Sequence, residues 1–115
     1  MITSISTGQL LRMADRLGKL EEGSAEADQA IHAALRLSGG PTRYTRRGDE
    51  ALKLLPLGFE VAPGLISGGR VYAACRRKAV RGGLPGPVHG QWAAAFPLAL
   101  SGAALRARAA MKVFA

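Results

Sequence analysis

The spacing of apolar residues predicts two helices at the start of the chain. Between residues 7 and 22, apolar side chains recur at the three- and four-residue spacing of one helical face, at Leu10, Met13, Ala14, Leu17 and Leu20. Thr7 is the expected N-cap of this helix and Gly23 its expected stop. A second helix is expected from Ser24 to the break at residues 38–40. So short a connection favours a hairpin or one bent unit.

The pattern changes after residues 38–42, a Gly- and Pro-containing stretch that is the best candidate linker. A short helix is expected over residues 49–55, since Pro56 follows it. Alternating apolar and polar residues then predict strands at residues 59–61, 70–79 and 88–93. Turn signals separate the strands, at Pro63-Gly64, Ser67-Gly68-Gly69 and residues 81–87.

A long helix with a wide apolar surface is predicted over residues 97–114. Pro97 favours the first turn of such a helix, and Ala99, Ala103 and Ala107 allow close approach to a sheet. The sequence therefore predicts an α+β fold in a single domain, residues 1–115. In it a helical pair (1–38) precedes a sandwich (43–115), which consists of a short helix, a two- to three-stranded antiparallel sheet and the long C-terminal helix packed on it.

The charge of the chain lies in its C-terminal two-thirds. Sixteen Lys and Arg residues against eight Asp and Glu give a net charge of +8 over 115 residues. Before Ser38 there are four bases and five acids, and from Ser38 onward there are twelve bases and three acids. This asymmetry indicates a surface for a polyanion or an acidic protein partner. The alternative is that the cations only keep the protein soluble.

Three segments resemble the phage ABA sandwich family of small phage and prophage proteins. They are Tyr44-Thr45-Arg46, Asp49-Glu50-Ala51-Leu52-Lys53-Leu54-Leu55-Pro56-Leu57-Gly58-Phe59 and Pro97-Leu98-Ala99-Leu100-Ser101-Gly102-Ala103-Ala104-Leu105-Arg106-Ala107-Arg108-Ala109. Residues 26–31 are similar to the helix that often precedes them. Phe59 stands where Trp is frequent in the family, and Ser101 where Cys is frequent. The resemblance implies a layered fold of helices and strands, a phage origin and no catalytic activity.

The strongest candidate site is basic. Cations and one aromatic residue of the longest strand and the turn after it are candidates for binding a polyanion or a protein partner, together with cations near the linker: Arg70, Tyr72, Arg76, Arg77, Lys78, Arg81, Arg43, Arg46 and Arg47. Tyr72 or Tyr44 could stack on a base. The order helix, three strands, helix is similar to that of the double-stranded RNA-binding domain. However, Phe96-Pro97-Leu98-Ala99 stands where that family has a Lys cluster.

Catalytic and metal chemistry have few candidates. Cys75 with His32 or His89 is the only thiol and imidazole combination, and Cys75 falls on the small apolar face of a predicted strand. A single cysteine supports neither an intramolecular disulfide nor a thiolate zinc site. The glycines form no phosphate-binding loop of the strand, Gly-rich loop, Lys-Ser/Thr type. We therefore expect no cofactor, no metal and no enzymatic activity.

Two functions from different classes remain. The first is a phage accessory protein that binds a host or phage protein, for instance an inhibitor of a host defence system of the anti-CRISPR type. The second is a nucleic-acid-binding module that uses the basic strand face. The apolar runs are too short for a membrane span, and residues 1–5 lack the features of a secretory signal, which favours the cytoplasm of the host cell. A homodimer is left open.

Overall fold

The computed structural model describes residues 6–84 and 86–113, and it confirms the α+β fold. The described residues form α1 (Thr7–Lys19), α2 (Ala25–Leu35), α3 (Gly48–Ala51), β1 (Phe59–Ser67), β2 (Arg70–Arg77), β3 (His89–Ala93) and α4 (Phe96–Val113). A 3-10 turn (Leu52–Leu54) continues α3. The expectations for residues 1–5, for Pro85 in the predicted loop and for the end of the last helix at Phe114 fall outside the described residues.

The three strands form one antiparallel sheet in the order β1-β2-β3. The predicted turn at Pro63-Gly64 is wrong, because β1 continues to Ser67 and the register of β1 against β2 shifts between Ala62 and Leu65. This irregularity is a β-bulge. Gly64 allows it, since a Cβ there would collide with the backbone carbonyl oxygen of Tyr72.

Helix α4 lies at the centre of the molecule. It packs against β2 and β3 on one side, and α1 and α3 also pack against it. Every residue from Leu98 to Leu105 is buried, so this part of the helix is surrounded by protein on all sides and not only along the apolar surface predicted from the sequence. The core of the described residues is therefore built around one helix that contacts the sheet and two further helices.

The N-cap of helix α1 lies one residue earlier than predicted. Ser6, not Thr7, is the N-cap, because its hydroxyl accepts a hydrogen bond from the backbone N–H of Gln9 while the Gln9 side chain accepts one from the Ser6 N–H. The apolar face of α1 is buried against α4. A groove of about 250 Å³ lies between α1 and α2 and is lined by residues of both helices, including Leu17 and Ile31.

A buried carboxylate holds α2 to the segment before α3. Asp28 is 2% exposed, and its carboxylate accepts hydrogen bonds from the N–H of Thr45 at 2.7 Å and from the Thr45 hydroxyl at 2.6 Å. The guanidinium Nε of Arg46 donates to the other oxygen at 2.9 Å. Gly23 lies against the same segment, because a Cβ there would collide with the carbonyl group of Thr45. Glycine at this position thus serves close packing, and α1 already ends at Lys19.

Within residues 6–84 and 86–113, no helix has the length and apolarity needed to cross a bilayer.

Candidate nucleic-acid interface

The sheet has one face against α4 and one face away from it. Ala73 and Ala93 belong to the main core, and the Cys75 thiol points to α4, where it donates to the carbonyl of Ala103 at 3.6 Å. Because side chains alternate along a strand and directly opposed residues share a face, the other face is defined by the remaining register pairs. We call it the outer face; it contains Glu60, Ala62, Leu65, Ser67, Arg70, Tyr72, Ala74, Arg76, Gly90 and Trp92.

Small residues form the floor of the outer face, and an aromatic pair stands on it. Ala74 lies between Ala62 of β1 and Gly90 of β3. Tyr72 is directly opposite Trp92, and the two ring centroids are 5.4 Å apart with the ring planes inclined at 49°. Trp92 is 41% exposed. The outer face therefore offers solvent an accessible aromatic surface that spans β2 and the edge strand β3.

Trp92 was not among the residues predicted from the sequence to form the site, whereas Tyr44 was predicted to stack on a base. Tyr44 is only 3% exposed, and its hydroxyl lies 2.8 Å from Nδ1 of His32, so its ring is unable to stack on a base in solvent. A usable signal for Trp92 existed, because it lies in the predicted third strand. Only the register of β3 against β2, however, places it opposite Tyr72.

Four of the predicted cations lie at the end of β2 and in the turn that follows. Arg76 forms a salt bridge with Glu60 across the outer face, at 2.9 Å. The guanidinium of Arg77 lies 5.4 Å from the centre of the Phe59 ring. Lys78 and Arg81 are exposed, and among the described residues no carboxylate forms an ion pair with either. We call Arg76, Arg77, Lys78 and Arg81 the β2-end cations.

Arg70 lies at the opposite end of the same strand. Its position, six residues before Arg76, places it about 20 Å away along β2. The Arg70 guanidinium donates through Nη2 to the carbonyl of Gly18, near the C-terminus of α1, at 2.6 Å. It neutralises part of the negative end of that helix and retains exposed N–H groups. The aromatic pair therefore stands between a cation at one end of β2 and the β2-end cations at the other.

The linker cations Arg43, Arg46 and Arg47 lie in another part of the fold, beside α2 and α3. Arg46 is held by the buried Asp28 carboxylate, which gives it a structural role. Arg47 forms an exposed pair with Asp49, and the side-chain hydrogen bond between them raises the pKa of Arg47 and lowers the pKa of Asp49. Arg43 is exposed. The three linker cations therefore lie outside the outer face.

The thiol and the two imidazole groups lie in buried or partly buried surroundings. Cys75 is fully buried, and burial raises the pKa of its thiol to about 11, so that it is protonated at neutral pH. His89 is its register partner in β3, and burial lowers the pKa of this imidazole. His32 is engaged with Tyr44 and, at 2.9 Å, with the carbonyl of Gly39. No group of three or more His, Cys, Asp or Glu residues in the described part of the chain is placed to bind a metal.

Two cavities adjoin the sheet. A cavity of about 440 Å³ lies between β3 and α1, and Trp92, Gly90, Lys19, Asp15 and Arg106 contribute to its wall. An apolar groove of about 510 Å³ lies at the far end of the sheet, where Phe59, Arg77, Pro87, His89 and Met111 line it. The first cavity continues the outer face past Trp92, whereas the second lies next to the β2-end cations.

Comparisons with family models, with curated proteins and with solved structures found no match for this chain. The function of the chain is therefore inferred from the chemistry of its own residues.

Proposed function

We propose that this protein acts by binding and not by catalysis, and that its ligand is a nucleic acid bound on the outer face. The observation that carries the proposal is the charge at the end of β2. Four cations occur within six residues, and Glu60 is the one carboxylate that forms an ion pair with any of them among the described residues. A surface with this excess of positive charge attracts phosphates over distances of about one Debye length.

The side chains of the β2-end cations suit phosphate contacts to different degrees. Arg76 is held on the outer face by Glu60. Arg77 alternates to the face that packs on α4, where it lies over the Phe59 ring, so it adds charge near the site without belonging to the outer face. Lys78 and Arg81 have no such ion pair in the described part of the chain, so their full charge is available. Binding by these groups would release counterions from the nucleic acid and therefore weaken as salt rises.

The test is the salt dependence of binding to labelled RNA and DNA of mixed sequence, between about 50 and 200 mM salt. We expect affinity to fall steeply over this range. The double variant Lys78→Ala/Arg81→Ala should lower the magnitude of the slope of log affinity against log salt by about one to two units, because two phosphate contacts are lost.

The matched control removes the same charge from a different surface. Arg12 and Arg16 lie on the exposed side of α1, and the variant Arg12→Ala/Arg16→Ala should leave the slope unchanged. Equal effects of the two double variants would show that only net charge matters and would contradict a site at the end of β2. Absence of binding at the lowest salt would contradict the proposed function itself.

A second candidate function is that of a phage accessory protein that binds a host or phage protein in the cytoplasm of the host cell, for instance to inhibit a defence system. The apolar groove beside Arg77 favours it, because a groove with an apolar wall and one cation suits an apolar side chain next to a carboxylate. The phage origin in this candidate rests on the resemblance of residues 44–59 and 97–109.

This second candidate has its own variant. Met111 lines the groove and is 38% exposed, so Met111→Glu would place a charge at the groove without opening the core. If the protein inhibits a defence system in infected cells, this variant should lose the inhibition while Lys78→Ala/Arg81→Ala retains it. The reverse result would assign the inhibition to nucleic-acid binding.

A further inference from the structure

The Tyr72 ring leans across the sheet onto the neighbouring strand. Gly90 lies opposite Ala74, so it is the diagonal neighbour of Tyr72. The end of the Tyr72 ring and its hydroxyl occupy the space that a Cβ on Gly90 would need. A ring standing straight up from its own strand would not reach this space. Because Gly90 has no side chain, the Tyr72 ring has room to lie against the surface of the sheet.

Trp92 completes an aromatic platform, which we define as the side chains of Tyr72 and Trp92. The two residues are directly paired, and their rings touch at an angle that leaves Trp92 41% exposed. An exposed tryptophan still has apolar surface in contact with water, so a ligand that covers this surface gains more free energy than one that contacts a buried tryptophan. The platform is rigid, because it stands on paired strands and not on a loop.

Hydrogen-bonding groups and charge surround the platform on both sides. The cavity of about 440 Å³ that begins at Trp92 is lined by Lys19 and by Asp15 and Arg106, which form a salt bridge with each other. Arg70 and Arg76 lie before and after Tyr72 on β2. Cations beside exposed aromatic rings are the combination that binds single strands, in which phosphates track a positive surface and bases stack on side chains.

We propose that the outer face binds single-stranded nucleic acid, with unpaired bases stacked on Tyr72 and Trp92 and a neighbouring base edge at the cavity beside Trp92. This inference rests on the proposed nucleic-acid function and specifies its ligand. A duplex keeps its bases stacked inside and offers phosphates and groove edges to the protein. The aromatic platform would then have no ligand, whereas an unpaired base has a free ring face for it.

Trp92 provides a direct readout, because it is the only tryptophan of the chain. Titration with a single-stranded oligonucleotide should quench its fluorescence, and titration with inorganic polyphosphate, which has charge but no bases, should leave it unchanged. Trp92→Ala and Tyr72→Ala should each weaken binding of the single strand about tenfold or more, and should leave binding of polyphosphate unchanged.

Conservative variants separate stacking from folding. Trp92→Phe and Tyr72→Phe keep an aromatic ring at each place and should bind the single strand within a few-fold of the unmodified protein. Leu57→Ala, at a residue that is 97% exposed and outside the outer face, is the matched control and should change nothing. Circular dichroism of each variant shows whether the fold is retained.

The possible outcomes separate this inference from the proposed function. Salt-dependent binding that is equal for single strands and duplexes, without quenching of Trp92, would overturn the stacking inference and keep the nucleic-acid function. Loss of all polyanion binding at low salt would overturn both. A protein partner that quenches Trp92, with no oligonucleotide doing so, would assign the platform to protein recognition and likewise overturn the inference.

Discussion

Tyr72 and Gly90 share one space on the outer face of the sheet. The ring and hydroxyl of the tyrosine fill the volume of the side chain that the glycine lacks, across two neighbouring strands. The contact covers the glycine backbone with an aromatic ring, and it sets the position of the Tyr72 ring next to Trp92. A single missing methyl group thus determines the geometry of the aromatic platform.

Gly90→Ala should destabilise the protein and disturb the platform. The added Cβ would force Tyr72 out of its position, and overpacking of this kind costs about 1–3 kcal/mol. Urea denaturation measures the change in the free energy of unfolding. The control is Gly40→Ala, since nothing lies within 4 Å of a Cβ at Gly40. An unchanged urea midpoint together with an unchanged Trp92 emission spectrum in Gly90→Ala would contradict the described contact.

Asp28→Asn should loosen the attachment of α2. The carboxylate accepts two hydrogen bonds from Thr45 and one from Arg46 in a buried position, and an amide is unable to accept all three. We expect a loss of about 1–3 kcal/mol in the free energy of unfolding, measured in urea. Asp49→Asn, at the exposed pair with Arg47, should leave the urea midpoint unchanged. Equal midpoints for the two variants would argue against a structural role of Asp28.

The Cys75 thiol should make the protein less stable in alkali. Burial raises the pKa of this thiol in the folded protein from the ordinary value of 9.0 to about 11. The folded state therefore favours the protonated thiol, and stability is fully present below pH 9 and lost as pH rises through about 11. Urea midpoints between these two pH values should fall more steeply for the unmodified protein than for Cys75→Ala. Parallel pH profiles of the two proteins would contradict this prediction.

Gln91→Leu should weaken the attachment of α1, β3 and α4 to one another. The Gln91 side chain is buried, donates to the carbonyl of Ala14 in α1, and accepts from Nε of Arg106 in α4 at 2.6 Å. Leucine would fill a similar volume but leave Arg106 with fewer acceptors, at an expected loss of about 1–3 kcal/mol in the free energy of unfolding. The comparison is Gln29→Leu on the exposed side of α2, which should have little effect on the urea midpoint. A smaller loss in Gln91→Leu than in Gln29→Leu would be inconsistent with the network.

Local patterns predicted the elements that depend on neighbouring residues. The helical period of α1, the Pro at the start of α4 and the alternation in β2 are each contained in fewer than twenty residues, and the structure has these elements nearly where they were expected. The bulge in β1 was missed because Pro63-Gly64 is also a turn signal. Only the approach of the Tyr72 carbonyl to Gly64 makes it a continuous strand.

The candidate site was predicted less completely than the fold. The sequence indicated that cations cluster around β2, and the β2-end cations lie near one another because they are consecutive or nearly so in the chain, but Arg77 alternates to the face that packs on α4. The assignment of Arg46 to the same surface ignored Asp28, which lies eighteen residues earlier and binds it. Trp92 was overlooked because its significance depends on its pairing with Tyr72, twenty positions away.

By itself, the sequence determined the order of helices and strands, the small apolar face that buries Cys75, and the excess of positive charge after residue 38. These properties follow from local periodicity and composition. The tertiary structure decided that α1 packs on α4, that Asp28 takes Arg46 out of the basic surface, and that Gly90 fixes Tyr72 beside Trp92. Each of these contacts joins residues far apart in the chain, and its energy depends on a shared space or a shared hydrogen bond that exists only after folding.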